Sequence, residues 1–146
     1  MKPLYFVMLL ALASFFVNGQ KSEIYQSNGF AIGGYDPVSF FTEQKAVKGD
    51  PKYVTEWKTA RWLFSSQANL NSFLKKPEKY APQYGGYCAY GLAGGHKAPT
   101  EADTWTILNN KLYFNYNQNV KASWNKNTKK YIEQANNHWP LLKDQD

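Results

Sequence analysis

Tyr53-Val54-Thr55-Glu56-Trp57-Lys58-Thr59-Ala60-Arg61-Trp62-Leu63-Phe64-Ser65-Ser66 is the stretch that decides the fold class. β-Branched and aromatic residues dominate Tyr53 to Trp57 and again Arg61 to Phe64, with Lys58, Thr59 and Ala60 between them and Trp62 and Phe64 two apart. That is the period of strands, and the pattern predicts a β-hairpin. Ser65 and Ser66 then offer an N-cap for a helix in which Leu70, Phe73 and Leu74 recur at three and four and which Pro77 stops. A short turn around Pro77, Glu78 and Tyr80 follows. Further on, Thr104 to Leu108 and Lys111 to Asn115 predict a second hairpin with Asn109-Asn110 as its turn, because asparagine tolerates the positive φ of tight turns. Trp105 and Ile107 would share one face. Asn117 can cap a helix carrying Val120 and Trp124, and Thr128 another carrying Ile132, Ala135 and Trp139, ended by Pro140. Two hairpins packed against about three short helices make an α+β domain.

The chain has 146 residues, enough for one domain and little more. No repeat, low-complexity tract or long linker divides it. Its N-terminus reads Met1-Lys2-Pro3, then an uncharged, mostly apolar run from Leu4 to Val17, then Gly19 and the polar Gln20 to Glu23. This is the layout of a cleavable signal peptide over residues 1–19, with the cut before Gln20. The run falls short of the roughly 20 residues that span a bilayer, so export to the periplasm or the exterior is expected, with no membrane attachment after cleavage. Residues 20–30 read as a flexible lead-in and 31–142 as the folded domain. Losing Lys2 takes the 17 basic residues to 16 against 11 acidic ones, a mature charge of +5. The lysines are scattered, with the pairs Lys75-Lys76 and Lys129-Lys130 on solvated helix faces, so nucleic acid is not an expected partner. The single cysteine, Cys88, excludes an internal disulfide.

Between the helix around Phe73 and the second hairpin runs Ala81-Pro82-Gln83-Tyr84-Gly85-Gly86-Tyr87-Cys88-Ala89-Tyr90-Gly91-Leu92-Ala93-Gly94-Gly95-His96-Lys97, with five of the ten glycines. Glycine permits positive φ and close backbone approach, so such a loop can wrap side chains, a ligand or an ion. It lacks the strand-to-helix glycine turn followed by Lys and Ser or Thr that cradles phosphate, so nucleotide binding is discounted. Cys88 and His96 are its chemistry-bearing residues, with Tyr84, Tyr87 and Tyr90 close by. His138, beside Trp139, reads as a packing or capping residue, and Asp36, before Pro37, as an Asx turn at the start of the domain.

This segment and its surroundings resemble the YHS-domain family. Its cysteine-rich branch opens with Asp-Pro-Val-Cys, where this chain has Asp36-Pro37-Val38-Ser39. That branch continues with Phe-Cys-Ser, a cysteine three residues on, a Phe four after that, and Pro-Glu-x-Tyr. This chain has Phe64-Ser65-Ser66, Asn69, Phe73 and Pro77-Glu78-Lys79-Tyr80. The frame holds except at the three cysteines, which are Ser39, Ser65 and Asn69, so a site made of those thiolates is absent. The exported (seleno)protein branch is the nearer likeness. It shares Tyr-Asp-Pro-Val-Ser, Tyr-Ala-Pro-Gln-Tyr-Gly-Gly-Tyr-Cys-Ala-Tyr and a closing Trp-Pro, here at residues 35–39, 80–90 and 139–140. Some members carry selenocysteine where this chain has Cys88, and the resemblance implies chalcogen chemistry at that position.

Three readings of Cys88 follow. In the first, Cys88 and His96 hold a soft metal, copper foremost, since thiolate and imidazole suit copper and zinc and related YHS domains occur in metal-handling proteins. In the second, Cys88 is a thiolate nucleophile whose resolving thiol comes from a small redox partner. Activation would need a nearby cation, for which His96 and Lys97 are the local candidates. In the third, Cys88 is a small buried filler. Binding ranks above catalysis, and no Ser-His-Asp or paired-carboxylate constellation supports a hydrolase.

Overall fold

The structure is a computed structural model that describes residues 22–145; the expected signal segment 1–19 lies outside them. A small hairpin of β1 (Gln26–Ser27) and β2 (Phe30–Ala31) comes first, followed by helix α1 (Pro37–Thr42). The hairpin of β3 (Asp50–Trp57) and β4 (Ala60–Phe64) leads into α2 (Gln67–Lys75) and the single turn α3 (Pro77–Tyr80). Helix α4 (Ala89–Ala93) precedes the hairpin of β5 (Thr106–Leu108) and β6 (Lys111–Tyr113). Helices α5 (Gln118–Asn125) and α6 (Thr128–Leu142) close the described chain. The result is an α+β domain with three two-stranded antiparallel sheets and six helices among the described residues. No helix among them is long and apolar enough to cross a membrane.

Local chemistry accounts for the elements. β3 and β4 turn through Lys58-Thr59, and β5 and β6 through Asn109-Asn110, all four residues at φ between 49° and 60°. Such two-residue turns match the twist of paired strands. Side-chain caps start the helices: Ser66 Oγ accepts from the Asn69 N–H, Asn117 Oδ1 from Val120 and Asn127 Oδ1 from Lys130. Each cap satisfies a donor that the first turn leaves open.

Two aromatic clusters form the core. One gathers Phe40, Trp62, Phe64, Phe73, Leu112 and Phe114, with Phe73 ringed by Trp57, Trp62 and Phe64 at centroid distances of 5.1–5.7 Å. The other gathers Tyr84, Leu92, Tyr113, Trp124 and Ala135 between α4, α5 and α6. The β5–β6 hairpin is their common wall, because side chains alternate along a strand: Leu112 and Phe114 point into the first cluster and Tyr113 into the second. Full burial of each large side chain contributes roughly 1.5–3 kcal/mol.

The structure departs from the sequence reading in several places. Residues 22–30, expected as a flexible lead-in, are packed: Ile24 is buried, Tyr25 donates its N–H to the Gly85 carbonyl and Tyr87 Oη donates to the Ser22 carbonyl. The segment seats because Gly85 and Gly86 give it room; a Cβ on Gly85, at φ +62°, would stand 1.8 Å from the Glu23 carbonyl oxygen. Leu74 projects into solvent at 56% exposure rather than joining Leu70 and Phe73. The glycine-rich stretch is not all loop, since it contains α4. Thr128 is the first residue of α6, with Asn127 as its cap, and α6 runs through Pro140 to Leu142. That proline removes only the N–H that would reach the Asn136 carbonyl, on a residue already exposed, and the Lys143 N–H to Trp139 carbonyl bond carries the last turn.

Candidate functional site

Cys88 is the N-cap of α4 and is 1% exposed. Its backbone is clamped from two sides: its N–H donates to the Ala98 carbonyl, and it bridges Phe114 in parallel register, the Ala89 N–H reaching the Phe114 carbonyl. Sγ accepts from the N–H of Gly91 at 3.4 Å and of Tyr116 at 3.3 Å and lies 3.6 Å from Asn115 Oδ1, to which the thiol can donate. Asn115 is itself fully buried. Its orientation is set, because Oδ1 also accepts from the Tyr90 N–H at 3.2 Å and the reversed amide would put two donors face to face. Burial pushes the Cys88 thiol above its ordinary range, and the N–H groups of Gly91, Tyr116 and Tyr90 pull it back by less. The group at neutral pH is therefore a caged thiol.

His96 lies at the other end of α4, exposed. Its N–H donates to the Gly91 carbonyl. Its ring folds back over the helix, so that a Cβ on Gly91 would stand 3.4 Å from Nε2 and one on Gly94 3.5 Å from Cε1. Cys88 and His96 both lie against Gly91, with Sγ on its N–H and the imidazole within contact distance of where its Cβ would be. Lys97, the other local cation, turns away from the thiol: its Nζ donates to the carbonyls of Lys143 and Gln145 and lies over the rings of Tyr87 and Trp139. His138, expected as a packing or capping residue, caps α4, with Nδ1 2.8 Å from the Leu92 carbonyl. No group of three or more His, Cys, Asp or Glu side chains able to hold a metal ion occurs among the described residues. A metal at this segment has two side chains to bind at most.

The strap Ala98–Asp103 covers Cys88 and Asn115, its Glu101 N–H donating to the Asn115 carbonyl. On one side lies a cleft of ≈ 380 Å³ with Tyr25, Tyr35, Lys48, Glu101 and Asp103 in its walls, on the other one of ≈ 370 Å³ between Tyr25, Tyr87, Lys97 and Pro99. Cys88 lines neither, so a reagent reaches Sγ only when the strap or the glycine turn moves.

A second polar centre lies in the first half of the domain. Asp36 is fully buried. Oδ1 accepts from the N–H of Val38 at 2.8 Å and of Ser39 at 3.3 Å, making the expected Asx turn and capping α1. Oδ2 accepts at 2.8 Å from each of three donors, the N–H and Oγ of Ser65 and Nδ2 of Asn69. Asn69 Nδ2 also lies 3.4 Å from Ser39 Oγ and 3.3 Å from Ser65 Oγ. Ser39, Ser65 and Asn69, the three residues in the frame's cysteine positions, therefore meet in space around one carboxylate. Hard oxygen and amide groups already engaged with each other do not fit a soft metal, so this centre is a structural hub. Sequence reasoning had the turn at Asp36 and missed the convergence. The polar replacements at three spaced frame positions were the available signal.

No curated protein and no solved structure matches the chain. Residues 38–84, from α1 through the β3–β4 hairpin and α2 to Tyr84, match the family model of the YHS domain, which supports the YHS-domain family for this part of the chain.

Proposed function

We propose that this is an exported YHS-domain protein that binds a soft metal ion, copper foremost, through Cys88 with His96 as second ligand. YHS domains are associated with metal handling, copper included. The charged start and short apolar run of residues 1–19 support export. What supports the site is that a thiol sulfur and an imidazole each lie against Gly91. Thiolate and neutral imidazole together suit Cu(I), which tolerates a two-ligand site. Cys88 would hold the ion as a thiolate, its proton passing to solvent, with the N–H groups of Gly91 and Tyr116 beside the sulfur. The sulfur is shielded from water, Cys88 being 1% exposed. The redox alternative, Cys88 as a nucleophile with an external resolving thiol, has less support. Reactive thiols are exposed and low in pKa, whereas this one is buried and raised.

The test is anaerobic Cu(I) titration of the full chain against a chromophoric competitor. One equivalent is expected, lost in Cys88→Ser and weakened about tenfold or more in His96→Ala. Because one thiol proton is displaced, affinity should rise about tenfold per pH unit from about pH 7 to 8. Equal binding by Cys88→Ser and the parent overturns the assignment.

A further inference from the structure

The only two histidines of the chain lie against successive glycines of one turn. A Cβ on Gly94 would stand 3.5 Å from His96 Cε1 and 3.6 Å from Nδ1, and a Cβ on Gly95 3.8 Å from His138 Cε1 and 4.0 Å from Nε2. The turn itself is fixed. Gly95 sits at φ +86°, its N–H donates to the Leu92 carbonyl, and the Gly94 N–H donates to the Tyr90 carbonyl. His138 comes from the middle of α6, half-buried against α4. The Leu92 carbonyl can only accept, so the 2.8 Å contact puts the ring proton on Nδ1 and leaves the lone pair on Nε2. This is the tautomer and orientation that metal-binding histidines take when a backbone carbonyl holds their other nitrogen. His96 is exposed, its ring against Gly91 and Gly94 of the same turn.

We infer that His138 Nε2 and His96 form a two-imidazole site at the Gly94–Gly95 turn for a borderline divalent cation of the Cu(II) type. The site shares His96 with the soft-metal site proposed above and does not use Cys88. Paired imidazoles suit Cu(II), and solvent at the exposed turn supplies the remaining ligands. His138 is the preorganised member and His96 the exposed one that closes on the ion.

The test uses the full chain without a polyhistidine tag, carrying Cys88→Ser so that no thiol reduces the metal. Calorimetric titration with Cu(II) should give one equivalent, and the electron paramagnetic resonance spectrum should show coupling to two imidazole nitrogens. His138→Asn keeps a donor for the Leu92 carbonyl while removing Nε2, and His96→Ala changes only an exposed side chain. Each should weaken binding about tenfold or more and reduce the coupling to one nitrogen. Parent-like affinity or an unchanged spectrum in either variant overturns the inference. Should His138→Asn fail to fold, Cu(II) protection of His138 from diethylpyrocarbonate in the Cys88→Ser chain replaces it, and absence of protection also overturns it. Since Cys88 is missing throughout, failure here is distinct from failure of the Cu(I) site.

Discussion

Replacing Asp36 by asparagine should be among the most damaging single-atom changes in the domain. The carboxylate is fully buried and accepts from five donors, two at Oδ1 and three at Oδ2. An amide keeps one oxygen. With that oxygen toward Ser65 and Asn69, its NH2 group meets the N–H groups of Val38 and Ser39; reversed, it meets three donors. At least two donors lose their acceptor, at about 1–3 kcal/mol each, and the remaining hydrogen bonds lose their charge assistance. The expected loss is about 4 kcal/mol, a large share of the roughly 5–15 kcal/mol that holds a domain folded. With a urea slope of about 2 kcal/mol per molar, the midpoint followed by tryptophan fluorescence should fall by about 2 M. Asn69→Ala leaves four of the five donors in place and should cost about 1–2 kcal/mol. A midpoint shift below about 0.5 M for Asp36→Asn at unchanged slope refutes the hub.

Three further outcomes are expected. Gly85→Ala forces a methyl group against the Glu23 carbonyl from a left-handed backbone, costing about 3 kcal/mol or more; the Tyr25 amide should lose protection from hydrogen exchange, and unchanged protection would refute the seating of residues 22–25. Thr59→Gly relieves a β-branched residue at φ 60° and should raise stability by about 0.5–1 kcal/mol, read as a higher melting temperature; a lower one contradicts the turn assignment. Cys88 is raised above the ordinary thiol value of about 8.5. As pH rises the unfolded thiol ionises first, so its contribution is complete below that value and is lost toward the folded one, at up to about 1.4 kcal/mol per pH unit. Urea midpoints at about pH 7 and about pH 9.5 should show a smaller decline for Cys88→Ser, and identical declines would refute the caged thiol.

What could be read in advance follows from how local each determinant is. The β3–β4 hairpin, α2 and the Asn109-Asn110 turn were legible because period, cap and turn residue lie within a few positions of one another. Helix α1 escaped because its determinant is split: Asp36 gives the local cap, but the donors that make it a hub come from Ser65 and Asn69, about thirty residues on. The lead-in was misread because its partner is Gly85, some sixty residues away, and a polar segment looks loose when that partner is out of view. Cys88 and His96 were picked out by residue type, and their shared contact with Gly91 depends on α4, a five-residue helix of which three residues are Ala or Gly. His138 was legible as a capping residue, but that it caps α4 could not be read, since that comes from α6 crossing α4.

The likeness to the YHS family and the chemistry of the chain occupy different halves of the sequence. The family match begins at Val38, two residues after Asp36, and ends at Tyr84, four residues before Cys88; the matched stretch holds Ser39, Ser65 and Asn69, where hydrogen bonds stand in positions that the cysteine-rich branch gives to thiols. The β5–β6 hairpin joins the matched stretch to the Cys88 segment. Asp36 caps α1, α1 carries Phe40, Phe40 packs edge-on against Phe114 at 5.2 Å, and Phe114 bridges Cys88. The Asp36 hub, at the edge of the matched stretch, thus helps to fix the backbone that cages the Cys88 thiol. The family match stops short of Cys88, His96 and His138. That places the burden of any metal reading on Cys88, His96 and His138 themselves rather than on the family likeness.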